Sequence, residues 1–180
     1  MIYYFAYGSN LHLGRMLARI SDVIVVEGAL LRGHGLTFHK RGRDGSGKCS
    51  IRPHGGDAVA GVIYRLDTID LARLDRIEGR GYRRNPVVVT GIRSSRRYRA
   101  YCYAAKSWAV DEAGVAYEWY RDIVVAGAEA HALPIAYVDR LRAVPARPDP
   151  NPRRHRQQAA MLTDGGRTGR RPAQRMARGA

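Results

Sequence analysis

The strongest constraint on the fold is the order of the predicted strands and helices. Runs rich in β-branched and aromatic residues follow one another through short glycine-containing turns, and helical periodicity interrupts them at few places. The predicted order is β-α-β-β-β-β-α-β-β-α-α, without the regular alternation of strand and helix that a doubly wound parallel sheet requires. We therefore expect an α+β protein in which a curled or closed mixed sheet has helices on its outside.

The predicted strands cover residues 2–7, 23–31, 36–40, 49–52, 58–66, 82–92 and 97–104. Two glycine-containing segments, Arg32–Gly35 and Pro53–Gly56, are predicted to be turns between strands, because glycine tolerates positive φ. Helices are predicted after Asn10, at 117–131 and at 135–144, with the last two separated before Pro134.

A further helix is predicted between the central strands and the hairpin that follows. Thr68 is its expected N-cap, Gly79 lies just past its end, and Glu78 lies at its C-terminus. Its buried face is predicted to carry Ile69, Leu71, Leu74 and Ile77.

The C-terminal part of the chain differs in composition from the rest. Residues 145–180 contain nine arginines and two acids, and so supply +7 of the net charge of +15. Beyond Pro145 the apolar content is too low to offset the entropy of ordering. We predict a folded domain over 1–145 and a disordered basic tail over 146–180. The tail lacks the interleaved aromatic residues that single-strand binders use for stacking, so we expect only weak, salt-sensitive nucleic-acid contacts.

The sequence also limits location and redox chemistry. No apolar run approaches the roughly 20 residues that span a bilayer, and Met1 leads directly into Ile2–Phe5 without a signal-peptide pattern. We therefore expect a cytoplasmic protein that makes no membrane contact, and leave a homodimer open. Cys49 and Cys102 lie far apart in the sequence without a metal-ligand spacing, which favours reduced, buried side chains.

Three familiar kinds of site are disfavoured. Gly42–Cys49 matches the phosphate-binding loop pattern except at its last position, where Cys49 replaces the Ser or Thr, and it precedes an extended segment instead of a helix. Ser9 lies on a strand-to-helix turn but outside the G-x-S-x-G pattern, without an evident histidine and acid partner. The histidines show no metal-ligand spacing, so no metal site is expected.

The informative segment is Tyr7-Gly8-Ser9-Asn10-Leu11 at the end of the first strand. It resembles the signature of the γ-glutamylcyclotransferase family. Further blocks resemble the family in the same order: the strand pair in Gly47–Arg65, the segment Leu74–Gly79 with Tyr82 after it, and the helical block Tyr120–Leu141. The resemblance covers about residues 1–144.

The resemblance implies a small mixed β-barrel that holds a γ-glutamyl group and converts it to 5-oxoproline without a cofactor. It implies that Glu78 is the catalytic acid and base. The residues that it implies for substrate binding are Tyr7, Gly8, Ser9, Asn10, Leu11, Tyr82, Tyr103 and Tyr120. This strand aligns loosely with the family, so Tyr101 is an alternative, and Tyr103 is preferred. The expected partner is a small γ-glutamyl compound, whose leaving amine the resemblance does not define.

The cyclisation explains why these residue types would be needed. The α-amine of the substrate attacks its own γ-carbonyl, so the enzyme supplies a base, an acid and donors for the oxyanion. We expect the helix C-terminus and burial to disfavour the ionised form of Glu78. The pattern alone favours a different interpretation, in which Glu78 is a solvated acid at a helix end, the tyrosines are core aromatics and Asp75 is a structural charge. Only the resemblance favours the catalytic interpretation.

A second class of function fits the high positive charge. A basic β-barrel could bind small anions or nucleic acid without turnover. Formation of 5-oxoproline from γ-glutamyl compounds separates an enzyme from such a module.

Overall fold

The computed structural model describes residues 1–20 and 22–164. The elements in chain order are β1 (Ile2–Ala6), α1 (Leu13–Leu17), β2 (Ile24–Arg41), β3 (Gly47–Leu66), α2 (Thr68–Glu78), β4 (Tyr82–Gly91), β5 (Arg97–Ala105), β6 (Ala116–Tyr117), α3 (Glu118–Ala130), α4 (Ile135–Arg142), β7 (Ala146–Arg147) and α5 (Pro152–Asp164). Within these described residues, no helix combines the length and apolar character needed to cross a membrane.

Five strands form a closed barrel in the order β1-β3-β2-β4-β5. Neighbouring strands are antiparallel except at the closure, where β1 and β5 are parallel and Tyr4 faces Tyr101. Phe5, Val62 and Ile63 are among the fully buried side chains. The predicted α+β class with a mixed closed sheet and outer helices is therefore confirmed.

The two central strands are longer than predicted. The segments at Arg32–Gly35 and Pro53–Gly56 are not turns, because β2 and β3 run through them as single strands of 18 and 20 residues. Gly33 has φ of +71° at a shift in the β2–β3 register, and Gly56 has φ of +84°. The glycines therefore introduce irregularities within a long β-ribbon, because paired neighbours on both sides keep the chain extended.

Helix α2 has the predicted extent but a different buried face. Leu71 and Leu74 are buried, whereas Ile69 and Ile77 are 77% and 40% exposed, which corrects the prediction. Ile69 lies about 200° around the helix from Leu71, on the opposite side. The N-cap is Asp67 and not Thr68, and it makes no side-chain capping bond.

The prediction of disorder from residue 146 onward is wrong for 146–164, which form β7 and α5. The apolar content of this segment is low, but it is held by a buried carboxylate, Asp149. Its oxygens accept from Trp119 Nε1 at 2.8 Å and from Arg154 Nε at 2.6 Å. Met161 and Leu162 pack against the core. Residues 165–180 lie outside the described residues, and the domain boundary at 145 stays a prediction.

A second buried carboxylate fastens the β4–β5 hairpin to β2. Glu27 accepts from Tyr98 OH at 2.7 Å, from Ser94 Oγ at 2.5 Å, and from the backbone N–H groups of Ser94 and Arg93. Burial alone would raise the pKa of Glu27, but these hydrogen bonds outweigh it and lower the pKa to about 2.

This arrangement predicts an acid-dependent loss of stability. A glutamate in an unfolded chain has a pKa of about 4.3, so the stabilisation by Glu27 is fully present above that value and is lost as the pH falls towards 2. Glu27→Gln should lower the free energy of unfolding at pH 7 by about 2 kcal/mol, because a charged acceptor is lost. Urea titrations from pH 7 to pH 2 should show the difference shrinking. A difference that does not change with pH would contradict this prediction.

Candidate active site

The loop between β1 and α1 forms one wall of the site. It contains a 3-10 turn at Ser9–Leu11. The carbonyl oxygens of this turn accept hydrogen bonds from side chains outside the loop. The Tyr64 hydroxyl donates to Asn10 O at 3.0 Å, and His131 Nε2 contacts Leu11 O at 3.0 Å. Burial lowers the pKa of His131, so the ring is neutral near pH 7. Because a carbonyl oxygen can only accept, Nε2 is the nitrogen that carries the hydrogen.

Two glycines allow the close packing of this loop. A Cβ atom on Gly127 of α3 would lie 2.5 Å from His12 N and 2.5 Å from the carbonyl carbon of Leu11. A Cβ atom on Gly8 would lie 3.0 Å from Cys49 Cβ. The loop can therefore lie against α3 only because position 127 has no side chain, and at Gly8 a side chain would be in tight contact with β3.

The loop, α2 and the barrel enclose one small cavity. Its empty space is about 320 Å³ when the open solvent at its mouth is included. The lining residues are Tyr4, Tyr7, Gly8, Ser9, Asn10, Cys49, Glu78, Tyr82, Tyr103 and Tyr120. The cavity wall is therefore built mainly of tyrosines and polar loop residues, with one carboxylate.

Glu78 is the last residue of α2, and its carboxylate lies at the edge of the cavity. Its side chain is 15% exposed, and Arg19 Nη1 donates to its Oε1 at 2.8 Å. Asn10 Nδ2 lies 3.1 Å from the same oxygen and 2.8 Å from Tyr4 OH. Arg19 Nη1 also donates to Asn10 Oδ1 at 2.9 Å. Arg19 and Asn10 therefore fix the position of the carboxylate, Tyr4 in turn holds Asn10, and Glu78 is not a freely solvated helix-end acid.

Tyrosine hydroxyls fix the remaining walls. Tyr82 OH donates to Cys49 O at 2.7 Å, and Cys49 N donates to Tyr120 OH at 3.1 Å. Tyr7 OH donates to the carbonyl oxygen of Tyr103. Burial raises the pKa of Tyr7, Tyr82 and Tyr120 well above the ordinary tyrosine value. These hydroxyls are therefore neutral at physiological pH and act as hydrogen-bonding groups, not as bases.

Asp75 lies one turn before Glu78 and orients a wall residue. Its Oδ1 accepts from Tyr103 OH at 2.8 Å, and its Oδ2 accepts from Arg84 Nη1 at 2.7 Å. Asp75 does not line the cavity. Asp75 is therefore a structural residue that holds the side chain of Tyr103 in place.

The structure brings seven of the eight predicted substrate-binding residues to the cavity, together with Glu78. The exception is Leu11, whose side chain is fully buried and does not line it. Tyr103 lines this cavity, whereas Tyr101 lines a separate groove on the barrel surface with Met1 and Pro86. The structure therefore gives the positions of these residues, and their roles in binding and catalysis stay predictions.

Sequence reasoning missed Tyr4, Cys49 and Arg19. Tyr4 and Cys49 carry no distinct signal, because alternating strand residues become wall or core only once the barrel closes. Arg19 could have been sought, since a buried carboxylate needs a partner and basic residues follow the signature loop.

Cysteine and metal chemistry receive no support from the arrangement. Cys49 and Cys102 are free and buried, and burial raises the pKa of each thiol to about 12, which disfavours the nucleophilic thiolate. Over 1–20 and 22–164, no group of three or more His, Cys, Asp or Glu side chains could hold a metal ion. Gly47 begins strand β3, so the glycine-rich segment before it does not open a helix as a phosphate-binding loop would.

Comparison with known proteins agrees with this geometry. The family model "Gamma-glutamyl cyclotransferase, AIG2-like" matches residues 4–122. Gamma-glutamylcyclotransferase of Mus musculus is 30% identical over 152 residues, which cover 78% of this chain and 77% of the mouse protein.

Solved structures show the same architecture. An uncharacterised protein from Homo sapiens aligns with a TM-score of 0.75 and 27% identity, over 81% of this chain and 89% of the human one. A structure described as a gamma-glutamyl cyclotransferase aligns with a TM-score of 0.74 and 24% identity, over 84% and 90%, and supports the fold. The family match and the mouse relative support a cyclotransferase-type function, and the chain belongs to the AIG2-like γ-glutamyl cyclotransferase family.

Proposed function

We propose that the cavity cyclises γ-glutamyl amino acids or γ-glutamyl amines to 5-oxoproline and releases the attached amine. The observation that carries this proposal is the fixed carboxylate of Glu78 beside the Gly8–Asn10 loop in a small enclosed cavity. Among the cavity-lining residues in the described part of the chain, Glu78 is the only carboxylate.

The reaction needs one group that accepts and then donates a proton. Glu78 takes a proton from the α-ammonium of the substrate, and the freed amine nitrogen forms a bond to the γ-carbonyl carbon. The oxyanion then collapses, the bond from that carbon to the leaving nitrogen breaks, and the protonated Glu78 returns its proton to that nitrogen. The ionised Glu78 then takes the second proton of the new ring nitrogen and passes it to the released amine, which leaves as an ammonium. Atoms and charge balance without a cofactor.

The hydrogen bonds to Glu78 are compatible with this role. Arg19 and Asn10 both donate to Oε1. Among the described hydrogen bonds none ends on Oε2, so this oxygen remains available for proton transfer. A carboxylate fixed in this way meets the substrate amine without first losing side-chain freedom.

The loop supplies groups for the rest of the substrate. Gly8, Ser9 and Asn10 line the cavity, and the first N–H groups of a helical turn have no acceptor within the turn. Such groups suit a developing oxyanion or a carboxylate. The neutral hydroxyls of Tyr82 and Tyr120 are already bonded to Cys49, so they shape the cavity and restrict substrate conformation.

A substrate panel tests the proposal. The purified full chain is incubated with γ-glutamyl dipeptides, γ-glutamyl amines and glutathione, and 5-oxoproline is measured by mass spectrometry. Product from at least one member is expected. A complete absence of product across the panel would favour the basic anion-binding or nucleic-acid-binding module. A cytoplasmic location, a homodimer and weak nucleic-acid contacts by the tail remain predictions.

A further inference from the structure

Arg15 of α1 connects the signature loop to the C-terminal helix. Its Nε donates to Ser9 Oγ at 3.2 Å, and its Nη1 donates to Gln158 Oε1 at 2.9 Å. Nη1 also lies 3.7 Å from Met161 Sδ. One guanidinium therefore contacts a wall residue of the cavity and two residues of α5.

Helix α5 is fixed to the body of the protein independently of this contact. The Asp149 carboxylate, fully buried at its side chain, binds Trp119 of α3 and Arg154 of α5. Trp119 in turn packs edge-on against the ring of the wall residue Tyr120, with ring centroids 5.8 Å apart. Gln158 is therefore presented to Arg15 from a helix whose position is already defined.

The contact also determines what the Ser9 hydroxyl can do. Guanidinium groups only donate hydrogen bonds, so Ser9 Oγ is the acceptor, and its own O–H hydrogen must point elsewhere. Ser9 is 8% exposed and lines the cavity. Its hydrogen is therefore available to a substrate oxygen in the cavity, provided that Arg15 stays in place.

We propose that α5 is a positioning element of the active site, in which Gln158 holds Arg15 and Arg15 holds the Ser9 hydroxyl and its loop. Gln158 and Arg15 are positioning residues in this scheme. Helix α5 is thus part of the functional unit, in contrast to the expectation of a disordered tail. The kinetic consequence rests on the proposed function, whereas the ordering of the loop does not.

Hydrogen–deuterium exchange on the full chain tests the ordering directly. Gln158→Leu removes the acceptor but keeps the size, Gln158→Glu keeps an acceptor, and Gln157→Leu changes an exposed neighbour on the same helix. In the peptide that covers residues 7–12, exchange should become about tenfold faster in Gln158→Leu, since a hydrogen bond to a charged group is lost. Gln158→Glu and Gln157→Leu should match the wild type.

Kinetics on a γ-glutamyl substrate then test the consequence. Gln158→Leu should raise KM about tenfold while kcat changes less than twofold. The reason is that the Ser9 hydroxyl, which in this proposal binds the substrate equally well in the ground state and in the transition state, is misplaced. Gln158→Glu should restore KM.

Two results of the exchange experiment would overturn the proposal. One is wild-type exchange in Gln158→Leu, and the other is equal acceleration in all three variants, which would indicate a general loosening of α5. If the wild type forms no 5-oxoproline, the proposed function fails, but the exchange comparison still decides whether α5 positions the loop.

Discussion

Replacing Glu78 with glutamine is expected to lower kcat by about a thousandfold, the size typical for the loss of a general acid–base group. The glutamine Oε1 can still accept from Arg19 and Asn10, so the local structure should be kept. The amide cannot take the proton from the substrate ammonium or return one to the leaving nitrogen. The rate of 5-oxoproline formation is the measurement, at saturating substrate.

A matched control is Glu112→Gln, because Glu112 has a 71% exposed side chain and does not line the cavity. It should keep wild-type kcat. Thermal unfolding of both variants checks the fold. A Glu78→Gln enzyme that turns over within threefold of the wild type would rule out Glu78 as the proton carrier.

Gly127→Ala is expected to give the second largest effect, a loss of about 3 kcal/mol in the free energy of unfolding, at the upper end for overpacking in a well-packed region. The new Cβ atom would lie 2.5 Å from backbone atoms of both His12 and Leu11. Helix propensity alone would favour alanine by about 1 kcal/mol. A net decrease in the free energy of unfolding would therefore be due to the steric clash. Because the displaced atoms belong to the signature loop, kcat/KM should fall as well.

Gly55→Ala is the control for the second prediction. A Cβ atom at Gly55 has no neighbouring atom within 4 Å. Denaturant titration should show a change of less than about 0.5 kcal/mol for this variant. Equal stabilities of Gly127→Ala and the wild type would show that the loop does not depend on close contact with α3.

The parts of the fold that local patterns determine were predicted well. The extent of α2, the β4–β5 hairpin and the two helices separated before Pro134 follow from periodicity and from the conformational limits of proline and glycine. The continuity of β2 and β3 did not follow, because a glycine with positive φ forms a turn or a bulge depending on whether the chain beyond it stays paired.

The order in 146–164 is a clearer case of tertiary contacts outweighing composition. Arg, Pro and Gln dominate this segment, and its local sequence indicates disorder. A buried carboxylate that binds an indole and a guanidinium stabilises it instead, and that site exists only once α3 is in place. The amino-acid composition of the segment therefore could not indicate that it is ordered.

The parts of the candidate site that are formed by residues close together in the sequence could be predicted. The contacts between residues distant in the sequence, which the folded barrel brings together, could not. The signature loop and the end of α2 could be identified from the sequence by resemblance. The ion pair between Arg19 and Glu78 joins residues 59 positions apart, and the bond between Tyr103 and Asp75 joins residues 28 positions apart. Both pairs depend on barrel closure, so spacing along the chain gave no indication of them.

The most direct test of the account compares a γ-glutamyl dipeptide with the same compound acetylated on its α-nitrogen. We expect equal amounts of 5-oxoproline and released amine from the free compound, and no released amine from the acetylated one, because an acylated nitrogen cannot attack the γ-carbonyl. Release of amine from the acetylated compound, or formation of glutamate in place of 5-oxoproline, would show that water and not the substrate amine is the nucleophile, and would contradict the account.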